Sequence, residues 1–304
     1  DYLFNDRAIP IQVQHEDPQK LVPVTTCTAL DSGWSWNIPL QSRIGTGYVF
    51  SSAFATDEAA LAEFLAYLGD QGKGANPRVL KMRVGRTRRS WVKNCVAIGL
   101  SSGFIEPLES TAIMTVEIMS RLLLHTLPTT DFEAPLIDHF NARIGGLYEE
   151  VRDFLGLHFT LSDRDDTPYW KAVRREAKRS DSLNEHLALW KFSLPSPANQ
   201  RPARVFSNWS VQCILMGKNF YRDSNLAGEE IVSPEVWQRY IREIRATREQ
   251  VMSRIANHRD LVDHMCAQAV PGGSAINALR PGQTVVGGPG TLTVAPQPVM
   301  EARA

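Results

Sequence analysis

The chain has 304 residues, 43% of them hydrophobic, enough for one large or two medium cores. Its formal net charge is zero, which argues against a broad electrostatic surface for nucleic acid or anionic membrane, and no apolar run reaches membrane-spanning length. The four cysteines (Cys27, Cys95, Cys213, Cys266) are scattered without a CxxC or Cys/His cluster, so no disulfide framework or metal site is expected. With no signal peptide visible, a cytoplasmic location is the default.

Up to about residue 55 the pattern is that of strands. Val24–Thr28 is rich in β-branched residues, and Trp34, Trp36 and Ile38 alternate with Ser35 and Asn37 before Pro39. A run from Gly47 to Ser52 reads as the returning strand of a hairpin. Leu61, Phe64, Leu65 and Leu68 fall at helical spacing, with Thr56 as cap and Gly69 as stop. Leu80, Met82 and Val84 alternate with Lys81 and Arg83 as a further half-buried strand, and Cys95–Ile98 reads as a buried one.

The stretch that follows carries the chemistry. Gly99-Leu-Ser-Ser-Gly-Phe-Ile-Glu-Pro-Leu-Glu-Ser-Thr111 is a small-residue turn with two acids, Glu106 and Glu109, flanking Pro107. Glu109 stands where an apolar helix begins, and helix N-termini gather unpaired N–H groups and positive dipole that suit an anion. A carboxylate beside a small anion is a place for chemistry, although a plain helix cap has the same appearance.

Beyond residue 112 the pattern turns helical. Leu136, Phe140, Ile144, Leu147, Val151 and Phe154 mark one long amphipathic helix. Shorter helices are expected over Pro168–Lys178 and Ser182–Phe192, and Leu194–Arg204 as a loop. Ser233-Pro234-Glu235 opens a capped helix whose stripe of Trp237, Tyr240, Ile241 and Ile244 is expected to be buried. The domain reading is an α/β module with a mixed sheet over 1–115, a helical module over 116–270 and a disordered tail over 271–304.

Taken together, several segments resemble the flavin-dependent tryptophan halogenase family. They are Trp34-Ser-Trp36-Asn-Ile38-Pro39, Gly45-Thr-Gly-Tyr-Val-Phe-Ser-Ser52, Arg83-Val-Gly-Arg86 with Trp91-Val-Lys-Asn94, the Glu106/Glu109 stretch, and Arg164-Asp-Asp-Thr-Pro-Tyr-Trp170. The resemblance spans roughly residues 20–217. It implies a flavin monooxygenase-like FAD-binding module with a helical module on its substrate side. Reduced FAD from a separate flavin reductase would react with oxygen and convert chloride or bromide into hypohalous acid, which travels through a tunnel to an electron-rich aromatic. By position it implies Glu109 and Ser110 as catalytic residues, and Thr111 and Ala112 as the pair whose N–H groups hold halide. The family usually has Gly where Ala112 stands. Trp34, Trp36, Pro107 and Ile113 are implied to lie against the flavin, and Phe206 and Trp209 against the substrate. The implied partners are an indole-containing or other aromatic small molecule, a flavin reductase and, as a possibility, a second copy in a homodimer.

The chain also departs from the family pattern. The FAD fingerprint and the active-site lysine belong to an N-terminal stretch that does not appear here, and none of Lys20, Lys73, Lys81 or Lys93 sits in that lysine's motif. The expectation is therefore a C-terminal part that is inactive alone. Leu194–Val205 has no Tyr and no Glu where members acting on free tryptophan anchor the amino-acid end, so a simpler indole, another aromatic or a carrier- or peptide-linked residue is expected. The rivals are a flavin-dependent hydroxylase of the same fold and a degenerate non-catalytic module. A hydrolase would read Gly99-Leu-Ser101-Ser-Gly103 as a nucleophile elbow. The acidic run Asp163-Arg-Asp-Asp166 reads as a helix-start turn before a metal site.

Overall fold

The computed structural model describes residues 2–200, 205–224, 226, 231–268, 284–285 and 292–293. Five strands form the main sheet: β1 (Arg7–Val13), β2 (Thr26–Leu30), β3 (Gly33–Pro39), β4 (Ile44–Phe50) and the short β5 (Leu80–Lys81), in the order β2-β3-β4-β1-β5. The α/β class holds. The sheet itself is antiparallel in each ladder, not mixed, because β2, β3 and β4 follow one another through short connections that only antiparallel neighbours permit.

Across the β3–β4 ladder Trp34 faces Val49 and Trp36 faces Gly47. A Cβ at Gly47 would come within 2.2 Å of the Trp36 ring, so the glycine makes room for an indole lying across the neighbouring strand. Helix α1 (Asp57–Leu68) starts on the Thr56 hydroxyl, which accepts the Ala59 N–H, and ends at Gly69 with φ 56°. Its buried Ala60 and Phe64 close one face of the sheet over Ile9, Ile11, Tyr48 and Phe50.

From residue 85 the chain forms two small ladders, β6 (Gly85–Arg86) with β9 (Gly103–Phe104), and β7 (Trp91–Val92) with β8 (Cys95–Val96). The buried strand expected over Cys95–Ile98 is thus a two-residue edge with Cys95 exposed. Leu80–Val84 likewise contributes only Leu80–Lys81, paired with Ala8 and Arg7 of β1, followed by one further bond from the Met82 N–H to the Asp6 carbonyl.

Among the described residues the following α-helices come next: α2 (Ala112–His125), α3 (Ala134–Thr160), α4 (Pro168–Arg175), α5 (Asp181–Trp190), α6 (Asn208–Gly217), α7 (Pro234–Met252) and α8 (His258–Gln268). The expected stripe of α3 is its buried face, including Phe140, Ile144, Leu147, Val151 and Phe154. The stripe of α7 is not: Trp237, Tyr240, Ile241 and Ile244 are all at least 44% exposed. Periodicity reports that a helix has an apolar face, not that a neighbour covers it. Past residue 268 the described backbone is a two-residue ladder, Thr284–Val285 with Leu292–Thr293, and the tail expected over 271–304 otherwise lies outside the described residues. Among the described residues no helix is long and apolar enough to cross a membrane.

Sheet and helices share one core. Trp34 and Val49 pack with Phe159, Tyr169 and Trp170, and the Trp170 Nε1–H donates to the Leu30 carbonyl at 2.7 Å. Contacts therefore run across residue 115, and the face of the sheet opposite α1 is where the site assembles.

Candidate active site

Between β9 and α2 the chain makes a tight turn in a costly conformation. The Ser110 N–H donates to the Pro107 carbonyl at 3.0 Å, and Glu109 and Ser110 both have positive φ, 66° and 52°. For residues with a Cβ this costs about 1–2 kcal/mol each, and such strain persists where surrounding structure over-determines it. The turn delivers Glu109 to α3, where its Oε1 lies 3.1 Å from His158 Nε2.

Helix α2 begins immediately afterwards, with Thr111 at its N-cap and no side chain capping it. The N–H groups of its first turn, starting at Thr111 and Ala112, have no intrahelical acceptor and carry the positive end of the dipole. Thr111 is buried, and its carbonyl accepts both the Thr115 N–H and the Thr115 hydroxyl at 2.9 Å. Ala112 is exposed, Ile113 is 85% exposed and Ser110 is exposed.

Three residues before Glu109 lies a second carboxyl in a different environment. Glu106 is 3% exposed, and its Oε1 accepts the Trp34 Nε1–H at 2.7 Å and the Asn5 Nδ2–H at 3.1 Å. Its Oε2 has no partner. Burial pushes this carboxyl up to about 7, against the lowering effect of those two hydrogen bonds. Trp34 is itself buried, with its ring centroid 6.1 Å from that of the part-buried Trp36. Of the tryptophan pair, Trp34 thus anchors the site loop.

A cavity of about 240 Å³ opens beside this loop, lined by Gly99, Phe104, Glu106, Thr111, Val116 and Tyr148 among others. Gly99 has φ 64°, and a Cβ there would approach Val116 at 2.8 Å, so the turn closes directly onto α2. Exposed Leu100 and Ile113 stand at the rim. An apolar edge beside uncapped N–H groups fits a flat, partly anionic ring system such as a flavin.

The aromatic residues lie farther along α3. Phe206 is buried and stacks on Phe154 with centroids 3.7 Å apart, and Phe154 meets the His158 ring edge-on at 5.0 Å. Glu150 Oε1 accepts the Val205 and Phe206 N–H groups at 2.9 and 3.1 Å and fixes that segment. Glu109, His158, Phe154 and Phe206 therefore form one contiguous chain. Trp209, on the first turn of α6, is 61% exposed.

The Ser101 hydroxyl donates to the Ile98 carbonyl and accepts the Ile98 N–H in a short 3₁₀ turn, which is no nucleophile elbow. Lys93 lies exposed at the β7–β8 turn with φ 54°. In the acidic run Arg164 grips Asp166 at 2.9 and 2.6 Å, Thr167 caps α4, and no metal-binding cluster occurs among the described residues. Two site residues carried no motif in the sequence: Asn5, which precedes the matching segments, and His158. The latter had a signal, since it continues the α3 stripe at Leu147, Val151 and Phe154 with a polar ring.

In this fold a strained carboxylate adjoins a helix start without a side-chain cap, beside an apolar edge. The chain belongs to the tryptophan halogenase family, whose model matches residues 1–228. It is 38% identical over 230 residues to the tryptophan 7-halogenase RebH of Lentzea aerocolonigenes, a match covering 74% of this chain and 42% of RebH. Among solved structures it resembles BrvH, a flavin-dependent halogenase from Brevundimonas sp. BAL3, at 36% identity and a TM-score of 0.78, covering 86% of this chain and 53% of that one. A thermophilic tryptophan halogenase, Th-Hal, gives 34% identity and the same TM-score of 0.78 over 84% of this chain and 50% of its own. The chain thus spans about half the length of these relatives.

Proposed function

We propose that the protein carrying this chain is a flavin-dependent halogenase acting on an indole-like or other electron-rich aromatic that is not free tryptophan. The observation that carries this reading is the conjunction at residues 109–112: a carboxylate held by a strained turn and His158, directly followed by a helix start without a side-chain cap. The N–H groups of Thr111 and Ala112 would hold chloride or bromide. Trp36, Pro107 and Ile113 would line the flavin edge, with Trp34 acting through Glu106. Reduced FAD, supplied by a separate reductase, would when bound activate molecular oxygen, the two-electron oxidant that makes the halide electrophilic.

Glu109 then serves as the base. Electrophilic attack leaves a proton on the ring carbon, and rearomatisation needs a group to take it within hydrogen-bonding reach. Ser110 lies beside it in the same turn. Phe206 and Trp209 would contact the aromatic substrate, the latter by stacking on an exposed indole face. The absence of Tyr and Glu from Leu194–Val205 supports a substrate without a free amino-acid end, since a charged end lacking partners loses affinity steeply. On this reading residues 1–304 are inactive alone, because the family's FAD fingerprint and lysine do not occur in them.

The test is a reaction of the full natural protein with a flavin reductase, oxygen and either chloride or bromide, with indole and free tryptophan compared by mass spectrometry. Halogenated indole with little halogenated tryptophan is expected. A tryptophan-specific product overturns the substrate assignment, and a hydroxylated product formed without halide overturns the reaction class.

A further inference from the structure

We propose that Glu109 and His158 form a proton-sharing pair in which His158 is the positioning residue of the carboxylate. This deepens the halogenase reading and rests on it for the reaction that the pair serves.

His158 Nδ1 lies 3.0 Å from the Phe154 carbonyl oxygen, one turn earlier in α3. A carbonyl only accepts, so Nδ1 carries a hydrogen. Nε2 lies 3.1 Å from Glu109 Oε1. In a neutral ring protonated on Nδ1, Nε2 is a bare acceptor, and a carboxylate oxygen is another. Two lone pairs do not hold each other at that distance, so a proton lies between them. Imidazole is a stronger base than carboxylate, which rests the proton on Nε2 as an imidazolium–carboxylate pair of zero net charge.

The pair is built rather than incidental. The His158 side chain is 15% exposed, wedged edge-on against Phe154, which in turn stacks on Phe206. It fixes Oε1 of a residue whose own backbone is strained. Oε2 makes no hydrogen bond among the described residues, and the Glu109 side chain is 38% exposed. The titratable group facing Glu109 from the sheet is Cys27 on β2, whose thiol is pushed up by burial first and by the Glu109 charge second. In the reaction, the ring C–H bond breaks, its electron pair returns to the ring, and the proton passes to Oε2. The extra proton then leaves to water on the exposed side, restoring the neutral pair.

Three measurements on the full natural protein test this. In ¹⁵N-histidine-labelled wild type, both His158 nitrogens should read as protonated at pH 7. In Glu109→Gln the amide donates to Nε2, and the ring should read as the Nδ1–H tautomer. His158→Leu should lower kcat tenfold or more with KM within twofold. His158→Gln, which supplies a donor at the Nε2 position, should recover most of that kcat. A wild-type ring bare at Nδ1, or a His158→Leu enzyme with unchanged kcat and pH profile, overturns the proposal. If the wild type gives no halide-dependent product, the halogenase reading fails, while the ¹⁵N spectrum still decides the pair.

Discussion

The Trp34 indole N–H donates to Glu106 Oε1 at 2.7 Å, tying the first tryptophan of β3 to a buried carboxyl three residues before Glu109. This bond makes Glu106 the joint between the sheet and the site loop, and gives the joint a pH dependence. Burial raises the folded carboxyl from an ordinary 4.5 to about 7. The folded state therefore holds the proton more tightly than the unfolded chain, so stability is greatest below about pH 4.5, falls as pH rises toward 7, and is flat above. A shift of this size corresponds to on the order of 3 kcal/mol. Denaturant unfolding at pH 5 and pH 8 should show the wild type weaker at pH 8, and Glu106→Gln largely free of that difference. Equal pH dependence in the two proteins would mean that Glu106 is not the group responsible.

The Trp36–Gly47 contact predicts a steric outcome. In Gly47→Ala the new methyl would sit 2.2 Å from the Trp36 ring and 2.8 Å from the Ile9 carbonyl. Overpacking of this kind costs about 1–3 kcal/mol. Adding Trp36→Leu should recover part of the loss but not all, because the Ile9 backbone remains. Additive losses in the double variant, measured by denaturant unfolding, would show that the two residues are not in contact.

Much of this fold could be read from residue patterns, for identifiable reasons. Local signals acted locally: Thr56, Gly69, Thr167 and Ser233 mark helix ends because capping needs only neighbouring backbone. The long α3 stripe survived because one face of a 27-residue helix must be buried somewhere. Failures arose where the answer depends on a distant partner. Trp237 and Ile241 have the right spacing for burial, yet no local rule says what covers them. Glu106 was visible only as an acid in an apolar turn, since Asn5 and Trp34, which hold it, are 101 and 72 residues away in sequence. His158 stands out in sequence only as a polar ring on the α3 stripe, because its partner, Glu109, is 49 residues away.

The two aromatic candidates should separate cleanly. Phe206 is buried against Phe154, so Phe206→Ala should cost about 3–5 kcal/mol of stability before any effect on substrate. Trp209 is 61% exposed, and Trp209→Ala should change stability by no more than about 0.5 kcal/mol while raising KM for the aromatic substrate. Unfolding curves and KM values check both. A Trp209→Ala protein with unchanged KM would remove that residue from the substrate site.

The central claim is that Glu109 takes the ring proton beside a halide held at the start of α2. The most direct measurement is the rate of chloride-dependent product formation by the full natural protein and its Glu109→Gln variant, with reduced flavin supplied by the same reductase and oxygen consumption followed in parallel. The amide keeps the size of the side chain and its place beside His158, but cannot accept the proton. Product formation should fall by about 10²–10⁴-fold while oxygen consumption continues. A Glu109→Gln enzyme that halogenates at the wild-type rate would contradict the assignment.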